Sequence, residues 1–308
     1  MTETLKLSRR AALAAGAALP LAGAFGTPAL AAVEKKGPTQ PTFNRFELGD
    51  FEVTTLLGGT RTVEDPQSIF GMNVDADTFA AASEENFIPA DKVQFFFTPT
   101  VVNTGSDLIL FDTGFAPAAI KGQLAAAGYD AGDVTKVIIT HMHGDHVSGL
   151  IDESGEAFPG AELITGAAED NAWSANPNDT YNGKIAPLRD KFAFVDDGAS
   201  IAPGVTAMAA FGHTPGHMTY MLESGGEQLL ITADLANHFV WSLGYPDWEV
   251  RFDMDKAAAA QTRRRVLGML AADRIPFIGY HMPFPSLGYV EANGDGFRYV
   301  PATYQMML

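Results

Sequence analysis

Three of the chain's seven histidines fall within six positions, in the stretch "THMHGDHVSGL" at residues 140–150. His141, His143 and His146 stand there beside Asp145. Neutral imidazole and carboxylate are the donors that bind Zn²⁺, Mn²⁺, Co²⁺ or Fe. Residues two apart on extended backbone point the same way, so His141 and His143 can address one point. Asp145 and His146 fall on the next bend, which Gly144 permits, and can address a neighbouring point. Other segments end in further donors: His217 in "FGHTPGHM", Asp234 closing "QLLITAD" and His281 closing "IPFIGYH". Four separate loops therefore deliver five histidines and two aspartates. His213 and His217 are four apart, a spacing that would align them on a helix, but Pro215 and Gly216 argue against a helix. One of the pair is therefore taken as a ligand, His217, and His213 is given a structural role. Asp112, ending "LILFD", is expected to support a ligand histidine. His238 is expected to line a pocket or the surface.

These donors need strand ends to hold them. "RFELGDFEVTTLLGG" reads as a hairpin turning at Gly49-Asp50. Residues 61–92 are mixed and polar, with "DADTFAAASEEN" as a short helix. "KVQFFFTPTVVNTGSDLILFDTG" holds two β-rich runs joined by Thr104-Gly105-Ser106. "PAAIKGQLAAAG" is a helix stopped by Gly128, and "DVTKVIIT" is a buried strand leading into the histidine cluster. In the second half "AELITG", "EQLLITADL" and "IPFIGYHM" read as strands, and "DKAAAAQTRRRVLGML" as a helix starting near Asp253 or Asp255. Strands alternate with helices and no long linker divides them, which implies one α/β domain with helices covering sheets. Loops at one edge of such sheets are where sites form.

The ends and the composition narrow the class. Lys6, Arg9 and Arg10 precede an apolar run and the small-residue stretch "TPALA". Residues 1–31 are expected to be a signal peptide, with "SRRAAL" resembling a twin-arginine signal. The chain is then periplasmic or secreted. Residues 32–42 read as a linker and 43–308 as the folded domain. The apolar run is too short to span a bilayer well. The 308 residues include no cysteine, so a thiolate nucleophile and thiolate metal ligands are excluded. A net charge of −17 makes nucleic acid a poor partner. No Gly-x-Ser-x-Gly elbow and no Ser-x-x-Lys pair is present.

"THMHGDHVSGL" resembles the His-x-His-x-Asp-His motif of the metallo-β-lactamase superfamily. "LFDTG", "GHTPGH", the strand end at Asp234 and "GYHMPF" follow in that family's order. "RFELGDFEVTTL" and the tail "HMPFPSLGYVEANGDGFRYVP" resemble most the exported methyl parathion hydrolase group, relatives of the quorum-quenching lactonases. The resemblance implies an αββα sandwich of two mixed sheets flanked by helices, a homodimer, and two metals at one edge. It implies that His141, His143 and His217 hold the first metal, that Asp145, His146 and His281 hold the second, and that Asp234 bridges them. Zn²⁺ is the expected metal. Family members that use a Cys ligand are excluded by composition, whereas thiolesterases of the glyoxalase II type share the ligand set.

The expected chemistry is hydrolysis by a metal-bridging hydroxide. Two divalent cations about 3.5–4 Å apart can share one water and bring its pKa towards ~7. Asp234 and Asp145 are the expected catalytic carboxylates, with Asp145 as proton shuttle. The aromatic residues Phe95, Phe96, Phe97, Trp173, Phe239, Trp241, Tyr245 and Trp248 crowd the inferred site, and Trp173 is the expected pocket wall. Apolar walls with few cations favour a small neutral lipophilic ester or lactone, acyl-homoserine lactones among them. Phosphotriester cleavage and an iron-containing redox role are the alternatives. Arg263, Arg264 and Arg265 fan around a helix and are expected to face solvent.

Overall fold

A computed structural model describes residue 37 and residues 39–307. The signal-peptide reading falls outside the described residues. From Gln40 onward the chain forms one compact unit. Its first sheet has seven strands: β1 (Phe43–Leu48), β2 (Phe51–Leu56), β5 (Thr100–Asn103), β6 (Leu108–Phe111), β7 (Lys136–Ile139), β10 (Glu162–Gly166) and β11 (Phe192–Val195). Two separate ribbons interrupt this order, β3 (Gly59–Glu64) with β4 (Lys92–Phe97), and β8 (Ile151–Asp152) with β9 (Gly155–Glu156). The second sheet runs in chain order: β12 (Ser200–Ala202), β13 (Val205–Ala209), β14 (Met218–Ser224), β15 (Glu227–Ala233), β16 (Phe277–Gly279), β17 (Leu287–Asn293) and β18 (Gly296–Pro301).

The two sheets pack face to face. Val53, Val102, Ile109, Ile138 and Ile164 of the first meet Val205, Tyr220, Leu222, Ile231 and Ile278 of the second. The outer face of the first sheet is covered by Ile120 and Leu124 of the helix Pro117–Ala126 and by Trp173 of the helix Ala167–Ala175. The outer face of the second is covered by Val266, Leu267 and Leu270 of the helix Lys256–Asp273. This is the αββα sandwich. Strand β7 shows how sequence dictates it: Val137 and Ile139 enter the outer core and Ile138 the inner one, so a continuous apolar run serves both faces.

Several elements follow the expected signals. The β1–β2 turn uses Gly49 at φ +56°, and a Cβ there would lie 2.3 Å from the Ser224 carbonyl oxygen of the other sheet. Asp75 and Asp255 cap helices through the backbone N–H of Thr78 (2.7 Å) and Ala258 (3.0 Å). Other elements differ. "KVQFFFTPTVVN" is two strands broken at Thr98-Pro99, and its first half leaves the sheet to pair with β3. Residues 61–64, read as mixed and polar, lie in that ribbon's partner strand Gly59–Glu64, masked by outward Thr60, Arg61, Thr62 and Glu64. "AEDNAW", polar in composition and not read as a helix, lies in the helix Ala167–Ala175, which turns Glu169, Asp170 and Trp173 inward. Arg263 is also inward: it lies with Ala259, Val266, Leu267 and Leu270 on the buried stripe, only 1 % exposed. Arg264 instead pairs with Asp247, and Arg265 donates to the Ala209 carbonyl.

Candidate metal centre

Strands β6, β7, β10 and β11 run parallel, as do β15 and β16, so their C-terminal ends open on one edge. His141 follows β7, Asp234 follows β15 and His281 follows β16. Two groups of donors converge there. His141, His143, His213 and Asp234 form one, and Asp145, His146 and His281 form the other, each with ligand atoms within 4.8 Å of one another. In the first, His143 Nδ1 lies 3.1 Å from His141 Nε2 and 3.0 Å from His213 Nε2. Asp234 Oδ2 lies 3.4 Å from His213 Nε2 and 3.8 Å from His141 Nε2. In the second, Asp145 Oδ2 lies 3.6 Å from His146 Nε2 and 3.5 Å from His281 Nε2. Asp234 touches both groups, its Oδ1 3.3 Å from His146 Nε2 and its Oδ2 3.2 Å from His281 Nε2.

The structure does not bring His217, the expected ligand of its pair, into either group. His213 is the residue of the pair that joins His141 and His143. His217 Nε2 instead accepts the Asp234 backbone N–H at 3.1 Å, which fixes the backbone at Asp234. Gly144 opens the four-residue helix Gly144–Val147 without a left-handed φ, so the bend does not depend on glycine's freedom. That helix carries Asp145 and His146, while His141 and His143 precede it.

The side chains behind the ligands orient them. Asp112 accepts from His146 Nδ1 at 2.8 Å, and its two oxygens accept from the Thr140 N–H and hydroxyl, both at 2.9 Å. The Thr140 hydroxyl, so directed, accepts from His141 Nδ1 at 3.1 Å. Asp253 Oδ1 accepts from His213 Nδ1 at 2.9 Å, while its Oδ2 holds Arg263 Nη1 at 2.8 Å. His281 Nδ1 donates to the Phe96 carbonyl at 2.8 Å. Each of these four rings thus turns Nε2 to the cluster. Glu169 is a residue that sequence reasoning missed. One of its oxygens accepts from the Met142 N–H and Trp173 Nε1, the other from the Thr214 hydroxyl and the Gly216 N–H. It ties both ligand loops to one helix. The signal for it was its place in "AEDNAW", three and four residues from other buried positions had that stretch been read as a helix.

Charge is distributed unevenly. Burial, reinforced by His146, keeps His141 neutral well below the usual imidazole range, and burial with His213 beside it puts His143 at about 3. Burial opposes the charged form of His146 too, but Asp234, Asp112 and Asp145 outweigh it and raise its pKa well above the ordinary value. Asp234 and Asp145 raise His281 against burial in the same way. Asp234 is buried, yet His281 and His146 hold its carboxyl well below the usual range.

The donors fit a pair of cations. His146 Nε2 and Asp234 Oδ1 are fully buried and have no hydrogen-bond partner among the described residues. Unpaired buried polar atoms aimed at one another are costly unless something binds them. A cleft of about 660 Å³ opens above, lined by His143, Asp145, Asp234, His281 and by Val63, Ile69, Phe95, Phe97 and Phe115. Phe95 and Phe97 meet His281 edge-on at 5.6 and 5.3 Å, while Phe96 points to the ribbon's other side, as strand alternation requires. Trp173 is not a cleft wall: it is buried behind His143, 6.1 Å ring to ring. Trp241 and Trp248 pack with Phe70 and Phe79 beneath the ribbon. His238 is buried on Trp241 at 4.1 Å, its Nδ1 accepting the N–H of Val240 and Trp241.

Residues 98–277 match the metallo-β-lactamase superfamily. A probable metallo-hydrolase of Mycobacterium tuberculosis is 26 % identical over 178 residues, 45 % of this chain and 56 % of that protein. An N-acyl homoserine lactonase of a Bacillus species is 28 % identical over 101 residues, 33 % of this chain and 38 % of that enzyme. The chain thus spans about half or less of the length of these curated relatives. Solved structures match more fully. The dizinc quorum-quenching lactonase AidC has a TM-score of 0.77 at 26 % identity, covering 85 % of this chain and 98 % of its own. The hydrolase AbOPH has a TM-score of 0.78 at 24 % identity, covering 87 % and 99 %. With the sandwich, the sheet-edge cluster and the family match over more than half its length, the chain belongs to the metallo-β-lactamase superfamily.

Proposed function

We propose that this protein is a dinuclear metal hydrolase that opens lactones or cleaves related esters. The observation that carries the reading is Asp234: one buried carboxylate reaches both donor groups at the floor of an apolar cleft. His141, His143 and His213 would hold one cation, Asp145, His146 and His281 the other, with Asp234 shared. Nitrogen and oxygen donors without sulfur suit Zn²⁺, with Mn²⁺, Co²⁺ and Fe as competitors. Bound there, two such cations supply an activated water and a Lewis acid for the scissile carbonyl. The chain does the rest. Asp112, Asp253 and the Phe96 carbonyl lock the rings that face the cluster. Phe95, Phe97 and Phe115 exclude water from the acyl part of a substrate. Asp145, whose side chain is 22 % exposed, is the ligand carboxylate open to the cleft, where it can pass a proton to the leaving alcohol oxygen.

The lactone assignment draws on the 26 % identity to AidC, which was solved with a homoserine product. The basic and apolar pattern of residues 1–31 supports export to the periplasm or beyond, and family resemblance supports a homodimer; light scattering tests the latter. No helix among the described residues is long and apolar enough to cross a membrane. The deciding experiment is a zinc-loaded enzyme assayed on a homoserine lactone, an aryl ester, a phosphotriester and a thioester. Lactone turnover that is lost on chelation and in Asp234→Ala is expected. Full activity in Asp234→Ala would overturn the site. A di-iron content with oxygen uptake and no hydrolysis would replace the hydrolase by a redox protein, and the phosphotriester as best substrate would move the activity to the methyl parathion hydrolase type.

A further inference from the structure

The cleft over the metal centre has two arginines in its lining, Arg61 and Arg251, both exposed. Register places the first. Arg61 stands directly opposite Phe95 on the β3–β4 ribbon, so the two side chains leave the same face. Phe95 meets His281 at 5.6 Å. Arg251 lies over the ring of Phe252 at 5.3 Å, and Phe252 packs edge-on against Phe95 at 6.3 Å. Each guanidinium is thus one or two rings away from a metal-ligand candidate, beyond the apolar middle of the cleft.

Neither guanidinium is paired with an acid. Five of the other described arginines hold acids: Arg45 binds Glu52, Arg189 binds Asp170, Arg263 binds Asp253, Arg264 binds Asp247 and Arg298 binds Glu291. Among the described residues, Arg61 and Arg251 have no carboxylate within ion-pair distance and no side-chain hydrogen bond. On a chain of net charge −17 acids are abundant, yet both arginines of this rim stand without one.

The geometry points to an anion site: Arg61 and Arg251 receive a carboxylate carried by the substrate at the end remote from its scissile bond. The guanidinium fork matches a carboxylate in two hydrogen bonds, whereas a neutral alkyl tail would leave it only solvent. Resting on the hydrolase reading, this narrows the substrate class to an ester or lactone, an apolar spacer that fits between Phe95, Phe97 and Phe115, and a terminal carboxylate. It departs from the neutral substrate expected from sequence, because nothing in the polar pattern around Arg61 marked it as part of a strand beside the site.

Matched lactones test it, their acyl chains ending in methyl or in carboxylate, on zinc-loaded wild type, Arg61→Gln, Arg251→Gln and the double variant. The wild type is expected to prefer the carboxylated lactone in kcat/KM by about tenfold, mainly through KM, and the ratio is expected to fall towards one in the double variant. Calorimetric binding of the corresponding unreactive lactams reads the same preference without turnover. Equal binding of the two lactams by wild type, or a preference that survives the double substitution, overturns the anion site. If neither lactone is hydrolysed while the lactam preference is present and arginine-dependent, the anion site stands and the hydrolase reading falls.

Discussion

A histidine ligates through one nitrogen only if the other is held. His146, His213 and His281 commit Nδ1–H to Asp112, Asp253 and the Phe96 carbonyl, leaving Nε2 for a cation. Asp253→Asn weakens that hold on His213 and removes the charge that balances Arg263, which is buried with it. Metal affinity is expected to fall about 10–100-fold in a competition titration with a chromophoric chelator. Stability is expected to fall by ~3 kcal/mol in urea unfolding, as for a broken buried pair. The histidine pair gives a sharper contrast. His213→Ala should lower bound zinc from two ions towards one by elemental analysis, whereas His217→Gln should keep both, because His217 supports the Asp234 backbone rather than a cation. Sequence spacing cannot separate these two residues. Both sit in "GHTPGH", and what distinguishes them is Asp253, 40 positions away, reaching His213 and not His217. The cluster at 141–146, by contrast, was legible, since ligand type and local spacing there do not depend on distant contacts.

At the level of elements, the site stands where three kinds of segment meet: strand ends that carry ligands, helices that brace the loops, and the ribbon that walls the cleft. The strand ends were readable because β7, β15 and β16 are short apolar runs that stop at a polar residue. The brace was not. The helix Ala167–Ala175 is polar in composition, and its buried Glu169 receives four hydrogen bonds that only the fold assembles. Burial pushes the Glu169 pKa up, against these four donors, each of which favours the carboxylate. Glu169→Gln exchanges acceptor for donor on one oxygen and leaves buried N–H and O–H groups unpaired, at a cost of about 2–5 kcal/mol. Its melting temperature is expected to drop, with zinc affinity lost chiefly at the His141, His143 and His213 position. Gly216→Ala tests the same junction from the other side: a Cβ there would lie 2.0 Å from the Glu169 backbone nitrogen, so helix and loop must separate. The ribbon was half legible. Phe95 and Phe97 announced a β-run, but β3 hid behind polar outward residues, and with it Arg61.

For the whole molecule, the buried histidines couple folding to pH in two opposite directions, and cations decide which one is felt. His143, His217 and His238 are pressed to about 3, the first two by burial and His213 and the last by burial alone, and His141 is likewise lowered. Their neutral forms are favoured in the fold, so the unfolded chain takes up more protons below the ordinary pKa of about 6.5. Stability is lost as pH falls from there. His146 and His281 are raised by their acidic neighbours against burial. The stability they contribute to the metal-free protein is complete below about 6.5 and is lost as pH climbs through their raised values. The metal-free protein should therefore be most stable near pH 6.5 and weaken on both sides. Cations reverse the alkaline limb. They need His146 and His281 deprotonated, so affinity rises with pH, and a ligand present at a thousand times its Kd adds about 4 kcal/mol to the folded state. Thermal unfolding at pH 5.5, 6.5, 7.5 and 8.5, with zinc and with excess chelator, measures both limbs. The gap in melting temperature between the two preparations is expected to widen steadily with pH. A gap that stays constant from pH 6.5 to 8.5 would mean that no proton leaves His146 or His281 on binding, and that the second cation does not sit between them.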